Sequence, residues 1–149
     1  MPARATHGDP PTLYRSKLRS VREAVALIHP EDTLAAPIIT GQPAAFLAGL
    51  AERNDYRKLS IFSGLLTEPY AVLRQPGVRM ISGFYGPIER LLKSMGIPVD
   101  YLPADFIGWE RYARLAKPRV MASAVAPMDR EGFLSFGLHA GASFNAWTQ

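Results

Sequence analysis

Five short apolar runs, each set between stretches with helical spacing, constrain this chain more than any other feature. They are DTLAAPII (32–39), KLSIFSGLL (58–66), VRMISGFYG (78–86), VDYLPA (99–104) and RVMASAVAP (119–127). Strands that are apolar on both sides and alternate with helices belong to parallel sheets covered on both faces. The expectation is an α/β fold: an open, mainly parallel sheet of about five strands with helices on both faces. Ligands of such sheets bind outside the carboxyl ends of the strands. The turns TGQP (40–43), SGFYG (82–86) and APMDREG (126–132) are predicted to share that edge.

Local signals place the helices. Ser20 and Glu23 form an S-x-x-E capping box, and Val21, Ala24, Val25 and Ile28 follow on one helical face, stopped by Pro30. Pro43 and Pro87 suit first helical positions, and Gly96 suits a helix end. Phe46, Leu47 and Leu50 share one face, and Trp109, Tyr112 and Leu115 form another stripe. Pro37 cannot donate to a ladder, which predicts an irregular or edge strand around it. Pro10, Pro11 and their polar neighbours predict a flexible N-terminal tail over 1–16, followed by one domain over 17–149.

Composition removes several function classes. With no cysteine there is no disulfide framework, thiolate metal site or catalytic thiol. Seventeen Lys and Arg against thirteen Asp and Glu give a net charge of +4, scattered along the chain. Scattered positives read as solvated surface, with some attraction for polyanionic ligands such as phosphorylated cofactors. Nucleic acid is not expected as a partner, because no basic motif with interleaved aromatics appears. No apolar run reaches the ~20 residues a membrane helix needs, and the N-terminus lacks a signal peptide's apolar core, so the expected location is the cytoplasm. His7, His29 and His139 lack ligand spacing, so no metal is expected. There is no G-x-S-x-G. The seven glutamates read as capping or helix-surface residues; Glu131 is the hardest to set aside, and a turn carboxylate explains it. No catalytic residue is assigned.

The candidate ligand-facing positions are therefore turn residues. Gly41, Gln42 and Pro43 follow the first strand, where glycine permits close backbone approach and the next helix offers unpaired N–H groups. A plain strand-to-helix turn with a helix-starting proline explains the same residues. Gly83 and Gly86 repeat the design, with Phe84 and Tyr85 either walling a pocket or filling core. The spacing matches neither a G-x-G-x-x-G dinucleotide fingerprint nor a phosphate loop. After the fifth strand, Pro127, Asp129 and Gly132 turn the chain into FLSFG, which contains Ser135 and Gly137.

Taken in order, YRSKLRSVREAVALIHPEDTL, GQPAAFLAGLAER, VRMISGFYGPIERLL and APMDREGFLSFG resemble the acetyl-CoA hydrolase and transferase family. That family includes the 4-hydroxybutyrate CoA-transferases. The match runs from Tyr14 onward and rests on P-x-D-x-x-G-x-x-S-x-G (Pro127, Asp129, Gly132, Ser135, Gly137) and on Gly41-x-Pro43. The resemblance implies a two-half enzyme acting on short-chain acyl-CoA and small carboxylates, with coenzyme A as substrate. A glutamate attacks the acyl-CoA to give an acyl-glutamyl anhydride, and the released CoA thiolate then forms a glutamyl-CoA thioester. An acceptor carboxylate, or water, completes the reaction. The glutamate belongs to the family's second half, which this sequence does not match. The resemblance thus implies an N-terminal half whose Gly41, Gln42, Pro43, Gly83, Gly86, Ser135 and Gly137 line the cleft. It implies a partner bearing the second half, or a homo-oligomer. The alternative is a non-catalytic remnant or interaction domain of the same fold. SFGLHAGASFNAW, with Phe136, Leu138, Phe144 and Trp147, is the surface expected to associate.

Overall fold

The computed structural model describes residues 9–103, 105 and 108–138, except for the side chains of 109, 110, 113 and 114. Its centre is one five-stranded sheet, all parallel. The strands are β1 (Glu31–Ala35), β2 (Lys58–Ser63), β3 (Val78–Ser82), β4 (Val99–Tyr101) and β5 (Val120–Met121). Their order across the sheet is β4-β3-β2-β1-β5. The chain steps outward from β1 to β4, then crosses back to lay β5 on the other side of β1. In open α/β sheets that reversal is where ligand crevices form.

The helices are α1 (Pro10–Lys17), α2 (Val21–Ala26), α3 (Ala44–Gly49), α4 (Pro87–Ser94) and α5 (Gly108–Ala116). Side chains alternate across the strands as period-two geometry requires. Leu34, Leu59, Ile61, Met80 and Val99 point to one face, where Val25 and Ile28, Leu47 and Leu50, and Leu92 meet them. Each such fully buried side chain contributes about 1.5–3 kcal/mol. The opposite face is thinner. Its buried residues are Ala35, Ile38 and Phe62, against which Tyr112 and Ala116 of α5 pack. Helices therefore cover both faces, as the alternation predicts.

The capping box forms: the Ser20 side chain accepts from the Glu23 N–H at 3.2 Å, and the Glu23 carboxylate accepts from the Ser20 N–H at 2.8 Å. Several expectations are corrected. Pro10 to Ser16 belong to a helix instead of a flexible tail, with proline at its first positions. β1 is flanked by β2 and β5, not at an edge; it ends at Ala35, two residues before Pro37. The segment after β2 forms a short 3-10 helix over Ala71–Arg74. Pro43 caps α3 from outside instead of starting it. Leu115 is 65% exposed and leaves the expected stripe, and the side chain of Trp109 lies outside the described set.

Candidate functional site

Four polar residues are buried together at one end of the sheet: Gln42, Ser63, Ser82 and Glu89. All four lie at the carboxyl edge of the sheet. Ser63 and Ser82 end β2 and β3, Gln42 follows β1, and Glu89 stands in the first turn of α4 after β3. Buried polar groups destabilise a fold unless they are hydrogen-bonded, so their concentration marks this edge as distinct from the apolar core beneath it.

Gln42 is the hub. Its Nε2 donates to Ser63 Oγ at 3.3 Å and to the Gly64 carbonyl at 3.2 Å. Its Oε1 accepts from the Thr67 N–H at 3.2 Å, the Thr67 hydroxyl at 3.1 Å and the Tyr70 hydroxyl at 3.4 Å. Ser63 Oγ in turn donates to the Pro37 carbonyl at 2.9 Å. The loops after β1 and β2 are thereby tied by one fully used amide. Burial pushes the Tyr70 phenol above its ordinary value, and the Thr67 hydroxyl offsets part of that rise.

Glu89 makes the next tie. It is fully buried; its Oε1 accepts from the Leu66 N–H at 2.9 Å and lies 3.5 Å from Ser82 Oγ. Its Oε2 has no hydrogen-bond partner. A Cβ added at Gly86 would sit 2.8 Å from that oxygen and 3.1 Å from Leu65 Cδ2. Gly86 is thus required by a carboxylate three residues on. From sequence alone Glu89 reads as a capping or helix-surface residue. The one signal for it was the run Gly86-Pro87-Ile88-Glu89, which puts an acid at the third helical position behind a glycine.

The structure brings Gly41, Gln42, Pro43, Gly83 and Gly86 to one edge. It buries all of these except Pro43, which is half-buried. They brace the edge from beneath. The residues linked there are apolar: Ile39, 40% exposed, with the half-buried Leu65 and Phe84 tied to it through the backbone. Two of these residues are strained. Ile39 has φ 49° and Leu65 φ 45°. Non-glycine residues rarely occupy this region, and a β-branched one hardly ever; each such position costs on the order of 1–3 kcal/mol. The pair is stitched by backbone, Ile39 N–H to Leu65 O at 3.3 Å and Leu65 N–H to Phe84 O at 3.3 Å.

Ser135 and Gly137 stand apart from the Gln42 hub. Both are exposed, on a segment that bridges Phe136 to Val125 in antiparallel fashion. The segment reaches the edge through Ala124, whose N–H donates to the Gly41 carbonyl at 2.9 Å. Gly132 has φ +87°, and a Cβ there would lie 2.5 Å from Pro10 Cβ. The turn Asp129–Gly132 therefore seats α1. Between α1 and this turn runs an apolar groove of ≈ 380 Å³ that includes Leu13, Leu18, Met128 and Leu134. It is remote from the buried polar set. Glu131 is exposed in the turn; Leu138 is 90% exposed, and Phe144, Trp147, His7 and His139 lie outside the described residues.

Among the described residues, no group of three or more His, Asp or Glu could hold a metal ion, and no helix is long and apolar enough to cross a membrane. The edge offers a rigid apolar surface over a polar brace.

No family model and no curated protein matches the chain. Solved structures do. RipA from Yersinia pestis superposes with a TM-score of 0.79 at 26% identity, over 91% of this chain and 35% of RipA. A glutamate-to-aspartate mutant of RipA gives 0.81 at 28% identity, over the same shares. This domain is similar to part of RipA. It spans about a third of that protein's length, and the likeness supports a compact α/β domain.

Proposed function

We propose that this domain is the non-nucleophilic wall of an acyl-CoA:carboxylate CoA-transferase or acyl-CoA hydrolase. One observation carries the reading: four buried polar residues, Gln42, Ser63, Ser82 and Glu89, brace the carboxyl edge, at the turns that resemble that family. Ligands of open α/β sheets bind there. The brace spends its hydrogen bonds internally and presents apolar side chains outward. Such a surface positions an acyl chain, while the attacking carboxylate comes from a second half. The similarity to one third of RipA fits a chain that supplies one part of a larger site, and a Glu-to-Asp substitution in RipA fits a glutamate of interest in that protein.

In this reading the nucleophilic glutamate attacks the thioester carbonyl and expels CoA thiolate. The thiolate then attacks the glutamyl carbonyl of the anhydride and releases the first carboxylate. The present chain excludes water from the acyl group and fixes its orientation.

The test is a titration of the 149-residue chain with acetyl-CoA, butyryl-CoA and acetate, followed by backbone amide NMR. Shifts at Thr40, Leu65, Phe84 and Tyr85 are expected. Shifts confined to the α1 groove, or none at the carboxyl edge, would sink the reading.

A further inference from the structure

We propose that Ile39, held in a left-handed backbone conformation against its own preference, sets the length of acyl chain this edge accepts. The inference rests on the reading of the edge as an acyl-CoA site. Strain of this kind persists only where surrounding structure enforces it, and it collects at ligand sites. Packing does not explain it, because Ile39 is 40% exposed while its neighbour Ile38 is 5% exposed and takes the core position. Local sequence does not explain it either, since Asn or Gly would occupy φ 49° more readily.

What the conformation achieves is a placement. It turns Ile39 out at the end of β1, and the Ile39 N–H reaches the Leu65 carbonyl at 3.3 Å. Leu65 sits at the end of the neighbouring strand in the same conformation, φ 45°, and its N–H reaches Phe84 O at 3.3 Å. Backbone hydrogen bonds thereby link residues at three successive strand ends, with Leu65 and Phe84 half-buried against Ala35, Ile38 and Phe62 and Ile39 left exposed. Gln42 and Glu89, through hydrogen bonds to Gly64, Leu66 and Thr67, immobilise the loop carrying Leu65. A rigid apolar contact discriminates ligands by methylene count, at roughly tenfold or more per group. On this proposal a four-carbon acyl chain touches Ile39 and an acetyl group does not.

The experiment uses the full chain with Ile39→Asn, Ile39→Gly and Ile39→Val. Tm is read by calorimetry, and affinity for acetyl-CoA and butyryl-CoA by NMR titration. Ile39→Asn and Ile39→Gly should raise Tm by about 2–4 °C, because the backbone strain is relieved. They should weaken butyryl-CoA about tenfold and acetyl-CoA less than threefold. Ile39→Val keeps the strain and should fall between wild type and Ile39→Asn in affinity. A merely structural Ile39 would lower Tm in all three and leave the butyryl-to-acetyl ratio unchanged, which overturns the proposal. If neither thioester perturbs the edge of the wild-type chain, the acyl-CoA reading itself falls. If both bind and the ratio does not move, only the role of Ile39 falls.

Discussion

Arg119, just before β5, grips Asp32 in β1 across 87 positions of sequence: its Nε lies 2.9 and 3.0 Å from the two carboxylate oxygens. Asp32 also accepts from the His29 N–H and the Thr33 N–H, both at 3.0 Å. Its side chain is 3% exposed, against 45% for Arg119. Burial pushes the Asp32 carboxyl upward, and the hydrogen bonds from Arg119, His29 and Thr33 outweigh it, so the net shift is below the ordinary 3.8. A depressed folded-state value contributes stability that is present above pH 3.8 and lost as pH falls through the folded value. Asp32→Ala should cost about 2–4 kcal/mol near neutrality. Acid titration of the variant should lose part of the wild type's steepness below about pH 4. An unchanged acid limb would show that Asp32 is not the group involved.

Glu89 and Gly86 should be energetically coupled. Glu89→Ala strands the Leu66 N–H and opens a cavity, at about 2–4 kcal/mol. Gly86→Ala drives a methyl to within 2.8 Å of Glu89 Oε2 and should cost about 1–3 kcal/mol. In the double variant the methyl occupies space the carboxylate vacated. Urea denaturation of all four species should then give a sum short of additivity by at least 0.5 kcal/mol.

Gly132→Ala should release α1. The substitution is strained by φ +87° and collides with Pro10. Trypsin should cut after Arg15 and Lys17 faster in the variant, while global Tm drops only a few degrees. Equal cleavage rates would place α1 elsewhere.

The alkaline side has its own signature. Burial raises the Tyr70 phenol, and burial likewise raises Tyr56, above 10.0. Groups raised in the folded state contribute stability that is full below their unfolded value and lost as pH rises through the folded one. Stability should therefore decline above about pH 10. Tyr70→Phe should soften that decline and should also loosen Gln42, seen as faster exchange of the Thr67 amide.

The 149-residue chain should show no thioesterase or CoA-transferase turnover, because Glu131, the acid of the Asp129–Gly132 turn, is exposed and lacks the enclosed setting that activates a nucleophilic carboxylate. Incubation with acetyl-CoA and carboxylate acceptors, then mass spectrometry, checks this. A glutamyl-CoA adduct on the chain would contradict it.

What sequence reading recovered was local. The Ser20–Glu23 box, the five apolar runs and the glycine turns are set by residues within a few positions of one another. What it missed depends on distant contacts. Pro10 and Pro11 look like a tail until Gly132 supplies a seat for them, and no pattern near residue 10 announces it. Glu89 looks like a surface acid, because its burial comes from the Leu66 loop closing over it. Gln42 reads as a ligand contact from its turn alone; its hydrogen bonds to Ser63, Gly64, Thr67 and Tyr70 come from one distant stretch that the turn does not announce. The strain at Ile39 leaves no trace in hydropathy, because a strand-end isoleucine reads as core.

The two-pair register of β5, Leu34↔Val120 and Ala35↔Met121, sets how the domain breathes. Val120 joins the main core, Met121 packs on the thin face and Arg119 ties the strand to Asp32, so the low-cost opening begins beyond Met121. Opening there would cut the Ala124–Gly41 bond and free the loop after β1, while the Gln42 and Glu89 ties hold the loop after β2 in place. The wall would then have one fixed jamb and one hinged one, with the hinge on the side of the reversal in strand order.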